Sequence, residues 1–181
     1  MVTYILIVLI AVLLMSRFER IDVPISVLTQ ILALAVIGRW LFASIPNVQP
    51  STALIMLTAL YFGLTSAAML ALFVPILSGL LLGLGPFVLF QFLGWFLVAL
   101  VVTILKPLLR RSRILLSILG LGAGFLFGWT ANLAFAEVIG SNFIKLLVLS
   151  FPFDVAHGVS NVVFILLLQN LFVRIFVQKE G

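Results

Sequence analysis

The chain has 181 residues, of which 65% are hydrophobic and 8% are charged, and its formal net charge is +5. This composition excludes an ordinary soluble domain, which has no use for so much apolar surface, and predicts an all-α integral membrane protein. The sequence contains no cysteine, which excludes disulfides, thiol catalysis and cysteine-ligated metal sites.

Apolar segments, taken in chain order, predict the membrane spans. Residues 2–15 are hydrophobic with no basic stretch before them, so we interpret residues 1–16 as a retained N-terminal helix rather than a removed signal. Residues 24–45 are long enough to cross a roughly 30 Å hydrocarbon core. Residues 51–83 are too long for one span and short for two, and FGLTS at 62–66 is the predicted break.

The basic residues decide between one and two helices in residues 51–83. Cytoplasmic loops of membrane proteins carry an excess of Lys and Arg. With two helices, the basic residues near the span ends all fall on one side of the membrane: Arg17, Arg20, Lys106, Arg110, Arg111, Arg113, Arg174 and Lys179. With one helix, Arg17 and Arg20 would move to the opposite side. We therefore predict two helices, with the N-terminus outside and the C-terminus in the cytoplasm.

The remaining segments complete a single membrane domain at residues 17–181. They are a tight outer turn at 83–86, a span at 87–105, a basic inner loop at 106–113, a span at 114–136, an outer excursion at 137–157 and a last span at 158–177. Gly120, Gly124 and Gly128 have the spacing of small residues that allow close helix packing. We predict that they pack inside the bundle, with a contact between two chains as the alternative.

Polar side chains inside the predicted spans lie in the outer half of the bundle. Gln91 and Trp95, like His157 and Asn161, are four residues apart and share one helix face. Polar groups in lipid need partners, and an outward-opening cavity would explain all of them together. For each residue alone, a hydrogen bond to a neighbouring helix is the alternative. The predicted site residues are Arg39, Asn47, Gln49, Gln91, Trp95, Trp129, Asn132, Asp154, His157 and Asn161.

The sequence offers little for catalysis. Asp154 and His157 could form an acid–base pair or half of a metal site, but the chain has one histidine and no cysteine. It also contains no G-x-S-x-G or H-E-x-x-H pattern. We predict neither an enzyme nor a metal site, and expect this pair to cap the start of the last helix or to contact a ligand.

Four stretches carry a family resemblance: FER, GRWLFASIPNVQPSTALIML, SGLLLGLGPFVLFQFLGW and FPFDVAHGVSNVVFILLL. Across residues 17–177 the chain resembles the S component, the substrate-binding membrane subunit, of energy-coupling factor vitamin transporters. It is most similar to the cobalamin branch, with an arginine before a P-N-x-x-P loop and a G-Q-G-P-W-T-x-x-Q turn. Here Arg39 precedes PNVQP, and Gly83, Gly85 and Pro86 form a turn that ends at Gln91.

The departures from the family pattern concern the same turn. Leu84 and Phe87 stand where Gln and Trp are expected, and Gly79 follows Ser78 where relatives carry Asn. The site is therefore expected to be wider and less polar than in relatives. This favours a bulky ligand such as cobalamin, because unpaired donors and acceptors reject mismatched ligands.

The resemblance implies a six-helix bundle, with the N-terminal hydrophobic helix as an extra element. It also implies three partner subunits, a membrane scaffold and two cytoplasmic ATPases. ATP would bind only to the ATPases, because the chain lacks a G-x-x-x-x-G-K-[ST] motif. In the family, small residues on the first core helix pack against the scaffold, and Thr29, Ala33 and Ala35 are the nearest equivalents.

Three functions remain open from the sequence. The first is a vitamin-binding S component in the cell membrane, for cobalamin or for another vitamin, with no cofactor of its own and no nucleic-acid partner. The second is a stand-alone permease, which predicts internal duplication and ionisable residues at mid-membrane. The third is a membrane assembly factor that uses the glycine-rich helix as its interaction face and binds no ligand.

Overall fold

The protein is all-helical over the residues that the computed structural model describes, 23–177. Its regular structure there consists of α1 (Ile25–Leu41), α2 (Ser51–Leu82), α3 (Phe87–Ile104), α4 (Lys106–Leu109), α5 (Arg113–Ile139), α6 (Phe143–Phe172) and a π-helical turn (Val173–Val177). The predicted N-terminal helix at residues 1–16 lies outside this range.

Four of these segments are long and apolar enough to cross a membrane. They are α2 when its two parts are counted together, α3, Arg113–Leu133 within α5, and Phe143–Val177, which comprises α6 and the π-helical turn. The helix α1 is apolar as well but shorter, with 17 residues. The chain is therefore a multi-pass membrane protein, as its composition predicts.

The helix α2 is broken at Gly63, whose backbone has φ 87° and ψ 174°. These angles are not helical, and glycine adopts a φ of this sign far more readily than other residues. The break divides α2 into a first arm, residues 51–62, and a second arm, residues 64–82. It falls inside the predicted segment 62–66, so the prediction of two helices is confirmed.

The two arms of α2 fold back on each other. In a straight helix Thr52 and Ser78 would lie about 39 Å apart. Instead both belong to one cluster at the end of α1. Arg39 Nη1 donates to Ser78 Oγ over 2.6 Å, and the same guanidinium lies 5.1 Å from the ring centroid of Trp95, whose Nε1 donates to Thr52 Oγ1 over 2.9 Å. The first arm therefore runs away from this cluster and the second arm returns to it.

The fold-back gives the bundle two distinct ends. The loop 42–50 and the turn 83–86 lie at one end, which we call the distal end. The helices α3 and α6 run away from it, and α5 returns to it. At the opposite end, which we call the basic end, lie Lys106, Arg110, Arg111, Arg113 and Arg174. The described basic residues that the sequence predicts on one side therefore do share one end of the bundle.

Glycines bring α5 and α6 into close contact. A Cβ atom added to Gly124 would lie 2.3 Å from the backbone nitrogen of Gly158, and one added to Gly128 would lie 1.9 Å from Asp154 Oδ1. Gly120 packs against the same helix, so α5 presents a glycine stripe to α6. The predicted packing of these glycines inside the bundle is confirmed, and the alternative contact between two chains is not needed to explain them.

The predicted outer excursion at 137–157 is wrong. The helix α5 continues to Ile139, and α6 already begins at Phe143. Gly140 ends α5 with a left-handed φ of 67°, and the Asn142 side chain caps α6 by accepting a hydrogen bond from the Lys145 amide over 3.2 Å. Asp154 lies in the middle of α6, so its predicted role at the start of the last helix is also wrong.

Candidate functional site

A cavity of about 340 Å³ lies between α3, α5, α6 and the loop 42–50. We call it the distal cavity. Its volume is within the range of roughly 300–1,000 Å³ that is usual for small-molecule sites. The polar side chains that line it are Asn47, Gln91, Asn132, Ser150, Asp154 and His157. Five of these six are residues that the sequence predicts for a site.

An aromatic layer of Trp95, Phe127 and His157 forms the floor of the distal cavity toward the basic end; Phe127 and His157 line the cavity, and Trp95 packs behind Phe127. Trp95 and His157 are at most 1% exposed, and Phe127 is 6% exposed. The ring centroids of Trp95 and Phe127 are 4.7 Å apart, and those of Phe127 and His157 are 5.0 Å apart. Thr52 joins the layer, because its Oγ1 lies 2.9 Å from Trp95 Nε1 and 2.8 Å from His157 Nε2. The floor separates the cavity from the apolar core below it.

Asp154 lies on the α6 wall of the cavity and is only 2% exposed. Asn132 Nδ2 donates to Ser150 Oγ over 2.8 Å, and Ser150 Oγ donates to Asp154 Oδ2 over 2.8 Å. Gly128 provides the space for the carboxylate, since a Cβ at this position would overlap Asp154 Oδ1. The carboxylate is therefore held against the backbone of α5 by one neutral donor, the Ser150 hydroxyl, which Asn132 positions.

Arg39 lies behind the α3 wall of the cavity, which faces the α6 wall that carries Asp154. Its Nη1 donates to Ser78 Oγ over 2.6 Å and to Gln91 Oε1 over 3.3 Å, and its guanidinium lies 5.1 Å from the Trp95 ring centroid. Trp40 Nε1 donates to the Ser78 carbonyl over 3.1 Å and so fixes the same region. Arg39 thereby positions both Gln91, in the wall, and Trp95, in the floor.

A smaller recess of about 160 Å³ adjoins the distal cavity on the Arg39 side. Asn47 borders both spaces. Its backbone has a φ of 60°, a conformation that asparagine tolerates better than most residues. Gln49 borders the recess only, and its backbone N–H donates to Ser160 Oγ over 3.1 Å. Asn47 therefore stands between two polar spaces at the distal end.

The cavity brings one cationic and one acidic side chain close to the same space without pairing them. Among the side chains that the structure describes within residues 23–177, which do not include Glu137, Arg39 and Asp154 have only neutral hydrogen-bond partners and no ion pair. A charge inside a membrane bundle is costly unless it is paired or faces a polar cavity, and such residues commonly mark functional sites. The same described range holds no group of three His, Asp or Glu side chains placed to bind a metal.

Two predicted site residues lie away from the cavity. Trp129 is 47% exposed on the outside of α5, where it packs against Phe125. Asn161 is fully buried, and its Nδ2 donates to the Gly120 carbonyl over 3.0 Å. For Asn161 the structure therefore shows the alternative that the sequence left open, a hydrogen bond between neighbouring helices.

The predicted turn lies at the distal end but does not border the distal cavity. Gly83, Gly85 and Pro86 join α2 to α3 there, with a φ of 102° at Gly83. Gly85 and Pro86 border a separate apolar groove of about 420 Å³, together with residues such as Leu72 and Phe92. A contact between this turn and a ligand therefore stays a prediction, and the turn does not form part of the distal cavity itself.

The predicted scaffold-docking residues do not share one face of α1. Thr29 and Ala33 are exposed. Ala35 is fully buried, and its carbonyl accepts a hydrogen bond from Ser51 Oγ over 2.9 Å. Because it packs toward α2, Ala35 cannot belong to a docking surface with the other two.

The site also contains three residues that were not predicted from the sequence, Ser150, Thr52 and Phe127. Ser150 precedes Asp154 by four residues, so the two share a helix face. This signal was obscured because residues 137–157 were interpreted as a loop. Thr52 and Phe127 carry no comparable signal, since a threonine or phenylalanine in an apolar helix is usually part of the core.

The fold defines the chain as a multi-pass α-helical membrane protein with a polar cavity at one end. In comparisons with known proteins, no protein-family model, curated protein or solved structure matches it.

Proposed function

We propose that the chain is the substrate-binding S component of an energy-coupling factor importer, in which the distal cavity captures a vitamin. The observation that carries the proposal is the construction of this cavity. Polar side chains from the loop 42–50 and three helices converge on it, and an aromatic floor lies beneath it toward the basic end. A polar cavity at one end of the bundle, with an aromatic layer beneath it, suits a subunit that binds a solute and depends on partners for its release.

The partners in this proposal are a membrane scaffold subunit and two cytoplasmic ATPases. The chain has no G-x-x-x-x-G-K-[ST] motif for ATP phosphates, so the energy for import would come from them. Thr29 and Ala33, on the exposed face of α1, are the residues of this chain that we propose for the scaffold contact.

Cobalamin is the ligand that the family resemblance favours, and other vitamins are the alternatives. A corrinoid is larger than a cavity of about 340 Å³. We therefore expect one edge of its ring system to enter the distal cavity while the rest lies toward the recess at Arg39 and the distal loops.

Binding without accumulation is the first expected result. The purified chain in lipid nanodiscs should bind one of cobalamin, thiamine, riboflavin or biotin in equilibrium dialysis. The same chain alone in liposomes should not concentrate that vitamin, whereas liposomes that also contain the scaffold and ATPases should do so with ATP. Concentrative uptake by the chain alone would instead identify a permease. Absence of binding to all four vitamins would contradict the proposal and favour an assembly factor.

The proposed orientation places the basic end in the cytoplasm of a cell-membrane protein, because Lys and Arg are in excess in cytoplasmic loops. The distal cavity then faces outward and the C-terminus lies inside. Ser44 and Arg111 are exposed at opposite ends, and the chain has no cysteine of its own. In intact cells, a membrane-impermeant thiol reagent should label Ser44→Cys but label Arg111→Cys only after permeabilisation. The reverse pattern would contradict this orientation.

A further inference from the structure

Two hydrogen bonds on the α6 wall lead toward Asp154. Ser150 Oγ accepts from Asn132 Nδ2, and its single hydroxyl hydrogen has the shorter contact to Asp154 Oδ2, 2.8 Å, against 3.3 Å to the Leu147 carbonyl. Asp154 Oδ1 receives no hydrogen bond from the described part of the chain, and Asp154 lines the cavity. The α6 wall therefore presents a buried carboxylate oxygen that can accept a further hydrogen bond.

The α3 wall has the opposite polarity. Gln91 Oε1 accepts a hydrogen bond from Arg39, which fixes the amide so that its Nε2 group is the end left for other partners. That amino group donates to none of the side chains or backbone groups that the structure describes, and Gln91 lines the same cavity. The guanidinium behind it adds positive potential to this side. The α3 wall therefore offers donors where the α6 wall offers an acceptor.

We propose that the distal cavity selects a ligand that presents N–H groups, from carboxamides or an ammonium, to Asp154 and an acceptor oxygen to Gln91. This inference rests on the proposed function, because it assumes that the cavity binds a solute. It specifies the chemical class of the ligand: the α6 wall would accept hydrogen bonds from the ligand, and the α3 wall would donate one to it. Arg39 acts here as a positioning residue, because it sets the orientation of the Gln91 amide.

The physical reason for this selectivity is the cost of an unmatched buried group. Asp154 is 2% exposed and has neutral partners only. A ligand that placed a carboxylate beside it would bring two negative charges together, whereas an N–H donor forms a charge-assisted hydrogen bond. A site built from hydrogen-bonding groups discriminates strongly against ligands that leave those groups unpaired.

The experiment uses the full chain in nanodiscs and measures Kd by equilibrium dialysis. The probes are cobalamin, whose ring edge carries carboxamides, and its monocarboxylates, in each of which one carboxamide is hydrolysed to a carboxylate. The variants are Asp154→Asn, which is nearly isosteric and can still accept from Ser150, and Gln91→Glu, which can still pair with Arg39. The control is Asn170→Asp, which makes the same charge change as Gln91→Glu at an exposed position near the basic end of α6. Thermal unfolding of each variant tests that the fold is intact.

Wild-type protein should bind cobalamin, and at least one monocarboxylate should bind roughly 10- to 100-fold more weakly, the factor for one mismatched charged hydrogen bond. Asp154→Asn should weaken cobalamin binding roughly 10-fold and should remove or reverse the preference against that monocarboxylate. Gln91→Glu should weaken cobalamin binding by about the same factor, because a donor is lost. The Asn170→Asp control should change Kd by no more than about threefold. A merely structural role for Asp154 would not produce the reversal of preference.

The outcomes separate the two proposals. If the wild-type chain binds cobalamin and Asp154→Asn leaves both its Kd and the preference unchanged, the inference about the walls is overturned and the proposed function stands. If thiamine, riboflavin or biotin binds instead, Asp154→Asn must weaken that vitamin, and an unchanged Kd again overturns the inference. If the wild-type chain binds none of the four vitamins, the proposed function fails and this inference fails with it.

Discussion

Replacing Gly124 by alanine is expected to destabilise the protein by about 3 kcal/mol, the upper part of the usual range for overpacking a tight core. The new methyl group would lie 2.3 Å from the Gly158 nitrogen, 2.7 Å from its Cα and 2.8 Å from the Asp154 carbonyl oxygen. All three are backbone atoms of α6, so no side-chain rotation can relieve the overlap. The helices α5 and α6 must move apart along their contact.

Gly122→Ala provides a matched control in the same helix. A Cβ atom at Gly122 meets nothing within 4 Å, so this substitution should leave the free energy of unfolding nearly unchanged. Unfolding of both variants by SDS titration in mixed micelles measures the difference. Equal stability of the two variants would contradict the close contact between α5 and α6.

The same Gly124 variant should also impair the distal cavity. Gly128 and Asp154 face each other one turn further along the contact, where the carboxylate lies against the glycine. Separation of α5 from α6 would therefore widen the cavity wall that carries Asp154. We expect Gly124→Ala to weaken vitamin binding as well as stability, and Gly122→Ala to weaken neither.

The sequence correctly predicts those membrane spans for which helix length and the distribution of basic residues allow only one arrangement. The helix α3 occupies Phe87–Ile104 against a predicted 87–105. The break of α2 at Gly63 was predicted because a single helix would place Arg17 and Arg20 on the wrong side of the membrane. Both predictions rest on the bilayer, which limits helix length and sorts basic residues, and this constraint can be evaluated without knowledge of packing.

The predicted excursion at 137–157 failed for a local reason. Pro152 lies inside α6, in a stretch that also carries polar side chains and is therefore less typical of a membrane span than an unbroken apolar run. In membrane helices, however, neighbouring groups can compensate for the hydrogen bond that proline removes. The true loop carries signals of its own, since Gly140 suits a helix end and Asn142 suits a helix start.

The site could be predicted only in part, because helix faces depend on packing partners. His157 and Asn161 are four residues apart and were expected to line the same cavity. The structure places His157 in the cavity floor, while Asn161, one turn further toward the basic end, bonds to the Gly120 carbonyl. The glycine stripe of α5 decides this outcome by bringing its backbone close to α6. Spacing along one helix gives no information about the depth at which a neighbouring helix closes the cavity.

Trp95→Ala is expected to cost about 3–5 kcal/mol of stability, the usual loss for deleting a fully buried tryptophan. Trp95 is 0% exposed, its ring lies 4.7 Å from that of Phe127, and the Arg39 guanidinium lies 5.1 Å from it. The substitution would leave a void between these groups and remove the donor to Thr52. The floor of the distal cavity would then be open, so vitamin binding should be lost together with stability.

Two further substitutions separate the contributions of the Trp95 ring. Trp95→Phe keeps an aromatic ring in the floor and removes the N–H donor to Thr52, so it should cost only about 1 kcal/mol for the hydrogen bond, plus the loss of part of the ring area. Trp129→Ala makes the same tryptophan-to-alanine change at a side chain that is 47% exposed on the outside of α5, where no comparable void can form. In SDS titrations, stability should therefore decrease in the order Trp129→Ala, Trp95→Phe, Trp95→Ala. Equal losses for the two alanine variants would mean that Trp95 does not form the floor, because burial is the property that distinguishes the two tryptophans.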